Sequence, residues 1–300
     1  MTAENAAIVG AEAQWVPARR RHPALSVALV LMRDVRAAPA IVVLIALLLF
    51  AFVGPYLIPM SPFESIRGER LQSPSWSHPF GTDELSRDLL ARNAVGLRAT
   101  LTGGVLAVIG GWLVGIQLGY VAAYRGGLVD STISRLIDTA LAFPAILFAI
   151  LLIAVFGPGI VSLALAIAIY NIPISARLAR AAAIRESGRD YVLAARTLGA
   201  AGSRILFVHI ARNTFGVFAV QLPIAVVSSV LIMAALGFLG LGDQPPNPSL
   251  GGLLNDGRRF IRIAWWYILA PGVTLALLML ALNFLSDVLN ELLDPARRRR

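Results

Sequence analysis

The chain contains no cysteine and no lysine. Without cysteine, disulfides and thiolate metal sites are excluded, and the redox compartment leaves no trace. Without lysine there is no phosphate-binding P-loop, which needs that ammonium to reach the nucleotide phosphates. Any ATP hydrolysis linked to this chain therefore takes place on another polypeptide. Charge is scarce too: 14% of the 300 residues are charged, against about 25% in soluble domains. The three histidines, His22, His78 and His209, are far apart in sequence and without clustered carboxylates. They read as loop and interface residues. No catalytic residue and no metal site is expected.

What is present is apolar. Hydrophobic residues make up 57% of the chain. They gather into charge-free windows at 37–63, 99–124, 139–176, 213–242 and 263–286. A bilayer crossing takes roughly 20 apolar residues, so the third window is too long for one. Its middle reads Phe156-Gly157-Pro158-Gly159, a turn signal that splits it into a helical hairpin. The expectation is an all-α polytopic membrane protein with six transmembrane helices. Its parts are a tail (1–37), a first helix (38–63), an outer loop with an amphipathic helix (64–98), a five-helix core (99–287) with a long inner loop (184–213), and a second tail (288–300). The first apolar run follows a long tail without a clear cleavage site, so it reads as a retained helix.

The 26 basic residues are all arginine and sit between the apolar windows. That placement turns a net charge of +9 into an orientation signal instead of a nucleic-acid signal. Eighteen fall on the side of the termini: Arg19 to Arg21, Arg33, Arg36, Arg125, Arg135, seven between Arg177 and Arg212, and Arg297 to Arg300. Eight fall opposite, among them Arg258, Arg259 and Arg262. The positive-inside rule places both termini in the cytoplasm. No charged residue lies inside a proposed span, which disfavours a proton-coupled carrier, although sodium sites can be built from carbonyls and hydroxyls.

Gly103, Ala107, Gly111, Gly115 and Gly119 recur every four residues in the second span. Such a stripe lets a neighbouring backbone come close, and packing within the chain is favoured over a subunit interface. Gln117, Asn171, Gln221 and Asn283 are polar at membrane depth. They bond neighbouring helices or line a water-filled path, the former being the safer reading of each alone. Trp265, Trp266 and Tyr267 read as an interfacial aromatic belt.

In the first outer loop, Thr82 or Asp83 can cap a helix running to about Arg98. In the second, Gln244-Pro245-Pro246-Asn247-Pro248 cannot continue a helix and forms a rigid extended element after the fifth span. In the long inner loop, Tyr191, Ala194, Ala195 and Leu198 share a helical face, and Gly199 can end that helix in a left-handed conformation. Ser203 can cap a second helix. The resulting helix–turn–helix can lie on the membrane surface or insert into a partner's groove.

At this loop the chain resembles the permease subunits of bacterial ABC importers for dipeptides, oligopeptides and nickel. Their motif is E-A-A, three residues, Gly, about nine residues, then I-x-L-P. Here it reads Leu193-Ala194-Ala195, Gly199 and Ile210-Ala211-Arg212-Asn213, with Leu193 for Glu and Ala211-Arg212 for Leu-Pro. His78-Pro79-Phe80-Gly81-Thr82-Asp83 with Arg87-Asp88 is similar to the family's H-P-F-G-T-D-x-x-G-R-D, Ser86 replacing Gly. Gly126-Gly127, Asp130, Arg135, Asp138 and Phe143-Pro144 match its inner loop. Phe238 to Gly242 with Gln244-Pro245-Pro246 and Pro248-Ser249 match its second outer loop, with Leu250 for Trp. Asn283, Asp287, Leu293, Asp294 and Pro295 match its end. The likeness is greatest to the second of the two paired permeases.

The resemblance implies the type I importer permease fold and a chain in the bacterial inner membrane that supplies half a gate and no chemistry. Implied partners are a second permease, one or two ATPase subunits that hold the ATP and Mg, and an extracytoplasmic solute-binding protein. This chain would bind no cofactor. Tyr191, Ala194, Ala195, Leu198, Gly199 and Ser203 would couple to the ATPase. Gln117, Asn171, Gln221 and Asn283 are candidates for the pathway, and Gln244 to Pro248 for the outer gate or binding-protein contact. The alternatives are an ion-coupled secondary carrier and a non-transporting membrane scaffold.

Overall fold

The computed structural model describes residues 37–66 and 68–293. The arginines of the N-terminal tail, His22, Asp294, Pro295 and the final four arginines lie outside the described residues.

Helix α1 (Ala37–Phe52) is apolar throughout but has only 16 residues, about 24 Å of rise. The expected helix to residue 63 stops early because Gly54-Pro55 opens a separate single turn, Gly54–Leu57, and Pro59 follows. Helix α2 (Leu89–Arg125) has 37 residues, about 55 Å, more than a bilayer core requires. Helices α3 (Gly127–Leu141) and α4 (Ala145–Phe156) meet at a 91° bend. Pro144 stands at that bend as the N-cap of α4; it lacks an amide hydrogen to carry α3 onward. Helix α5 (Ile160–Ser187) completes the hairpin. Its turn falls where the sequence places it, with Gly157 and Gly159 at φ +82° and +146°. A short helix α6 (Asp190–Thr197) follows. Helix α7 (Gly202–Phe238) contains a π-helical segment, Ile205–Ile210. Helix α8 (Leu250–Gly257) leads through a 3₁₀ turn into α9 (Trp265–Leu293).

Among the described residues, four helices, α2, α5, α7 and α9, are long and apolar enough to cross a membrane. The bent α3–α4 pair and the shorter α1 bring the apolar segments to six, in keeping with the sequence reading. The core is centred on α2 against α5. A β-carbon at Gly111, Gly115 or Gly119 would overlap the carbonyl oxygen of Ala168, Ile172 or Ala176 respectively. The small-residue stripe therefore packs within the chain, as the sequence favoured. It allows two backbones to approach closer than any larger side chain would permit.

Expectations of local structure fail in both the first outer loop and the inner loop. The helix of the first outer loop is capped by Asp88, whose Oδ1 accepts from the Ala91 amide at 2.8 Å. Thr82 and Asp83 are spent inside the loop: Thr82 Oγ1 accepts from the Gln72 amide at 2.9 Å, and Asp83 Oδ1 accepts from the Leu85 and Arg87 amides, each at 2.8 Å. Nor does the helix stop near Arg98; it runs on as the second span. In the inner loop, the cap before the second helix is Ala201, and Ser203 lies inside the helix without a capping bond. That helix is the start of α7, not a separate element.

Candidate coupling loop and outer mouth

Helix α6 ends as its sequence dictates. Gly199 has φ +75°. The Ala200 amide donates to Ala195 O and the Gly199 amide to Arg196 O, each at 3.0 Å. This paired arrangement closes a helix whose next residue is left-handed. The face predicted from spacing is divided. Tyr191 and Ala195 pack partly on the core, while Ala194 is exposed and Leu198 is 87% exposed. The anchor is Val192, fully buried in the cluster that holds Ile205, Leu206 and Ile210. Spacing alone did not single it out, since an isolated valine on a small helix carries no period. Tyr191 Oη donates to Glu186 Oε1 at 2.8 Å, tying α6 back to the end of α5. The result is a short, firmly seated helix with an apolar tip pointing away from the protein.

Helix α3 is held to the second half of α5 by two ion pairs. Arg180 Nε and Nη2 donate to the two oxygens of Asp130 at 2.5 and 2.6 Å. Arg177 Nη2 donates to Asp138 Oδ1 at 2.5 Å.

At the opposite end, the first outer loop is a compact polar knot. His78 is buried, with Nδ1 2.8 Å from Asp88 Oδ2 and Nε2 2.7 Å from Glu69 Oε2. The sequence reading of histidines without clustered carboxylates is corrected here: the carboxylates lie outside the immediate sequence neighbourhood of His78 but adjacent to it in space. Asp83 Oδ2 accepts from Arg87 Nε at 2.6 Å and pairs with Arg92 Nε at 3.2 Å. Gly81 sits at φ +74°, and a β-carbon there would come within 2.7 Å of the Trp266 ring. The motif thus seats its loop on the start of α9, where Tyr267 is fully buried and so is no surface belt residue; Trp265 stays exposed.

The second outer loop is irregular from Leu239 to Ser249, where the Ser249 hydroxyl caps α8. Gln244, Pro245, Pro246 and Asn247 are exposed and Pro248 is buried. The two loops are joined by Arg92, whose Nη1 donates to Pro62 O at 3.0 Å and to Pro246 O at 3.5 Å. Burial raises the Asp243 carboxyl above its ordinary range. Burial, then the nearby Glu84 carboxylate, does the same to Asp256.

The four polar residues at membrane depth differ in their surroundings. Asn171 is buried and donates to Ile167 O at 2.9 Å and to Ser229 Oγ at 3.1 Å, bonding α5 to α7. Gln117 and Asn283 are exposed on α2 and α9, and Gln221 is half-buried on α7.

The family of binding-protein-dependent transport system inner membrane components matches residues 115–299. The chain is 41% identical over 251 residues to the di/tripeptide transport system permease protein DppC of Pseudomonas aeruginosa, covering 82% of this chain and 83% of that one. It is 39% identical over 269 residues to the dipeptide transport system permease protein DppC of Escherichia coli K12, covering 88% and 90%. Among solved structures, an inward-facing form of the MetNI methionine ABC transporter aligns with a TM-score of 0.54 at 17% identity, over 66% of this chain and 94% of that one. The last likeness speaks for the fold, that of a type I importer permease.

The helical bundle, the short exposed helix between α5 and α7 and these matches define a membrane permease subunit of an ABC importer. The chain belongs to the family of binding-protein-dependent transport system inner membrane components.

Proposed function

We propose that this chain forms half of the pathway by which an ATP-driven importer moves di- and tripeptides, or solutes of similar size, inward. The peptide class is supported by the names of its relatives at 39–41% identity. In this reading the chain pairs with a second permease. Helix α6 docks in a groove of an ATPase subunit, which holds the ATP and Mg, and an extracytoplasmic binding protein delivers solute at Gln244 to Pro248. Solute passes along faces that carry Gln117, Gln221 and Asn283; Asn171, engaged with Ser229, holds helices together. The chain itself performs no catalysis and binds no cofactor.

The observation that carries this reading is α6: a helix of eight residues, anchored from below by Val192 and Tyr191, stopped by Gly199, with Ala194 and Leu198 presented outward. An apolar tip of this kind is suited to a partner's groove. With Leu193 where related permeases carry Glu, apolar packing takes a larger share of that contact. The outer Arg-poor and inner Arg-rich loops orient both termini to the cytoplasm.

Two experiments test the reading. Reporter fusions at Arg20, Leu71, Gly188, Asn247 and Arg299 are expected to read in, out, in, out, in; an outer reading at Gly188 removes α6 from the ATPase side. The purified chain is expected neither to bind nor to hydrolyse ATP, with hydrolysis appearing only in complex with ATPase subunits. Turnover by the isolated chain refutes the division of labour.

A further inference from the structure

The π-helical segment Ile205–Ile210 stands between α6 and the body of α7. π-helical turns hold one residue more than an α-helix of the same rise, and they occur mostly as short insertions at functional places. Converting such a turn to α shifts the register by one residue, a rotation of about 100° between the flanking parts. A motion entering at α6 therefore has two fates: it is absorbed by this segment, or it is passed on to α7 as a rigid body.

What decides is how the segment is held. At its far end, Thr214 Oγ1 donates its single hydrogen to Ile210 O at 3.0 Å or Ala211 O at 3.2 Å. The contact between Tyr120 Oη and Thr214 Oγ1, at 2.6 Å, must then have Tyr120 as donor. Both side chains are buried, 3% and 2% exposed. One turn on, Phe218 packs edge-on against Tyr120 and Trp112, at 6.2 and 5.9 Å between ring centres. At the near end, a β-carbon on Gly202 would overlap the Tyr124 hydroxyl. Tyr120 and Tyr124 are one turn apart on α2, so one face of α2 grips both ends of the segment. Ring packing tolerates small rotations of α7. The hydroxyl bond does not, because a one-residue shift carries Thr214 away from Tyr120.

We infer that the Tyr120–Thr214 hydrogen bond is a positioning lock that keeps the π segment in one register, so that movement of α6 reaches α7 and drives the gate. This inference rests on the reading of α6 as the ATPase-coupling helix.

The test uses the whole complex in proteoliposomes, with binding protein and an isotope-labelled pool of di- and tripeptides. The quantity measured is peptide moved per ATP hydrolysed. Tyr120→Phe and Thr214→Val keep the packing volume and lose the bond; each is expected to lower that ratio at least about threefold, the scale of one buried hydrogen bond, while binding-protein-stimulated hydrolysis persists. The double variant is expected to be no worse than either single variant, and Thr214→Ser, which keeps the hydroxyl, to match the unaltered complex. Gly199→Val serves as the control for α6. If it abolishes uptake while Tyr120→Phe leaves the ratio unchanged at equal membrane level, the lock is overturned and the coupling reading stands. If Gly199→Val leaves uptake normal, the coupling reading fails and the lock with it.

Discussion

Asp88 divides its carboxylate between two tasks: Oδ1 caps α2 at the Ala91 amide, and Oδ2 lies 2.8 Å from His78 Nδ1. One buried side chain thus starts the second span and closes the outer loop upon it. Asp88→Ala is expected to lose about 1 kcal/mol of capping and a further 1–3 kcal/mol for leaving the buried His78 Nδ1 without its partner. Asp88→Asn caps comparably, so it is expected to lose less. Thermal unfolding in detergent checks the order; equal losses for the two would separate the cap from the histidine contact.

Ser86 occupies a left-handed conformation at φ +62°, at the position where related permeases carry Gly. A side chain there costs about 1 kcal/mol relative to glycine. Ser86→Gly is therefore expected to raise the unfolding midpoint by a few degrees, with uptake unchanged. A fall in the midpoint would mean that the Ser86 hydroxyl contributes more than its backbone costs.

Gly115 faces Ile172 O and the Ser175 hydroxyl so closely that a β-carbon has no room. Gly115→Val is expected to force α2 away from α5 and cost at least about 1–3 kcal/mol, as overpacking does, with reduced membrane levels. Gly110→Ala, on the same helix but with Ala168 Cβ 3.7 Å from the added carbon, is expected to be tolerated. Comparable expression of both variants would show that the two helices can separate without loss.

A β-carbon added at Gly199 would meet no atom within 4 Å, so within this chain the glycine's role is conformational alone. Gly199→Asn, which tolerates left-handed backbone, is expected to retain most uptake, and Gly199→Val to lose it. Ala194→Arg is expected to lose uptake through the exposed tip with no change in chain stability. Normal uptake in both Gly199→Val and Ala194→Arg, at unaltered membrane levels, would place force transmission elsewhere.

The Asp130–Arg180 pair joins α3 to the second half of α5. As a partly exposed pair it contributes at most about 1 kcal/mol to stability, so its removal is expected to show in uptake before it shows in unfolding. Asp130→Arg is expected to impair uptake, and the exchanged pair Asp130→Arg with Arg180→Asp to restore it in part. An exchanged pair as inactive as the single variant would mean that each residue acts through other contacts.

Several features were legible in the sequence because they depend on neighbours along the chain. Apolar runs of bilayer length, the Gly157-Pro158-Gly159 break, the glycine stop after α6 and the four-residue stripe of small residues are statements about backbone conformation and helical period, and the structure agrees with each except the first run, whose helix ends at Phe52. The site was legible only in part. Spacing located α6 but could not say which side of so short a helix faces the protein: Val192 is buried, Tyr191 and Ala195 of the predicted face pack partly beside it, and Ala194 and Leu198 stay exposed.

The tertiary structure alone decided what depends on distant partners. Asp88, and not Thr82 or Asp83, caps α2 because loop amides and the Glu69 carbonyl claim the other two first. His78 acquires carboxylates from both directions along the chain, Glu69 and Asp88. Asn171 bonds Ser229 across 58 residues, and Tyr120 meets Thr214 across 94. The physical reason is the same in each case. Polar groups buried among apolar helices must find partners, and which partner lies within hydrogen-bond reach is settled by how the helices pack, a relation that no local pattern of residues contains.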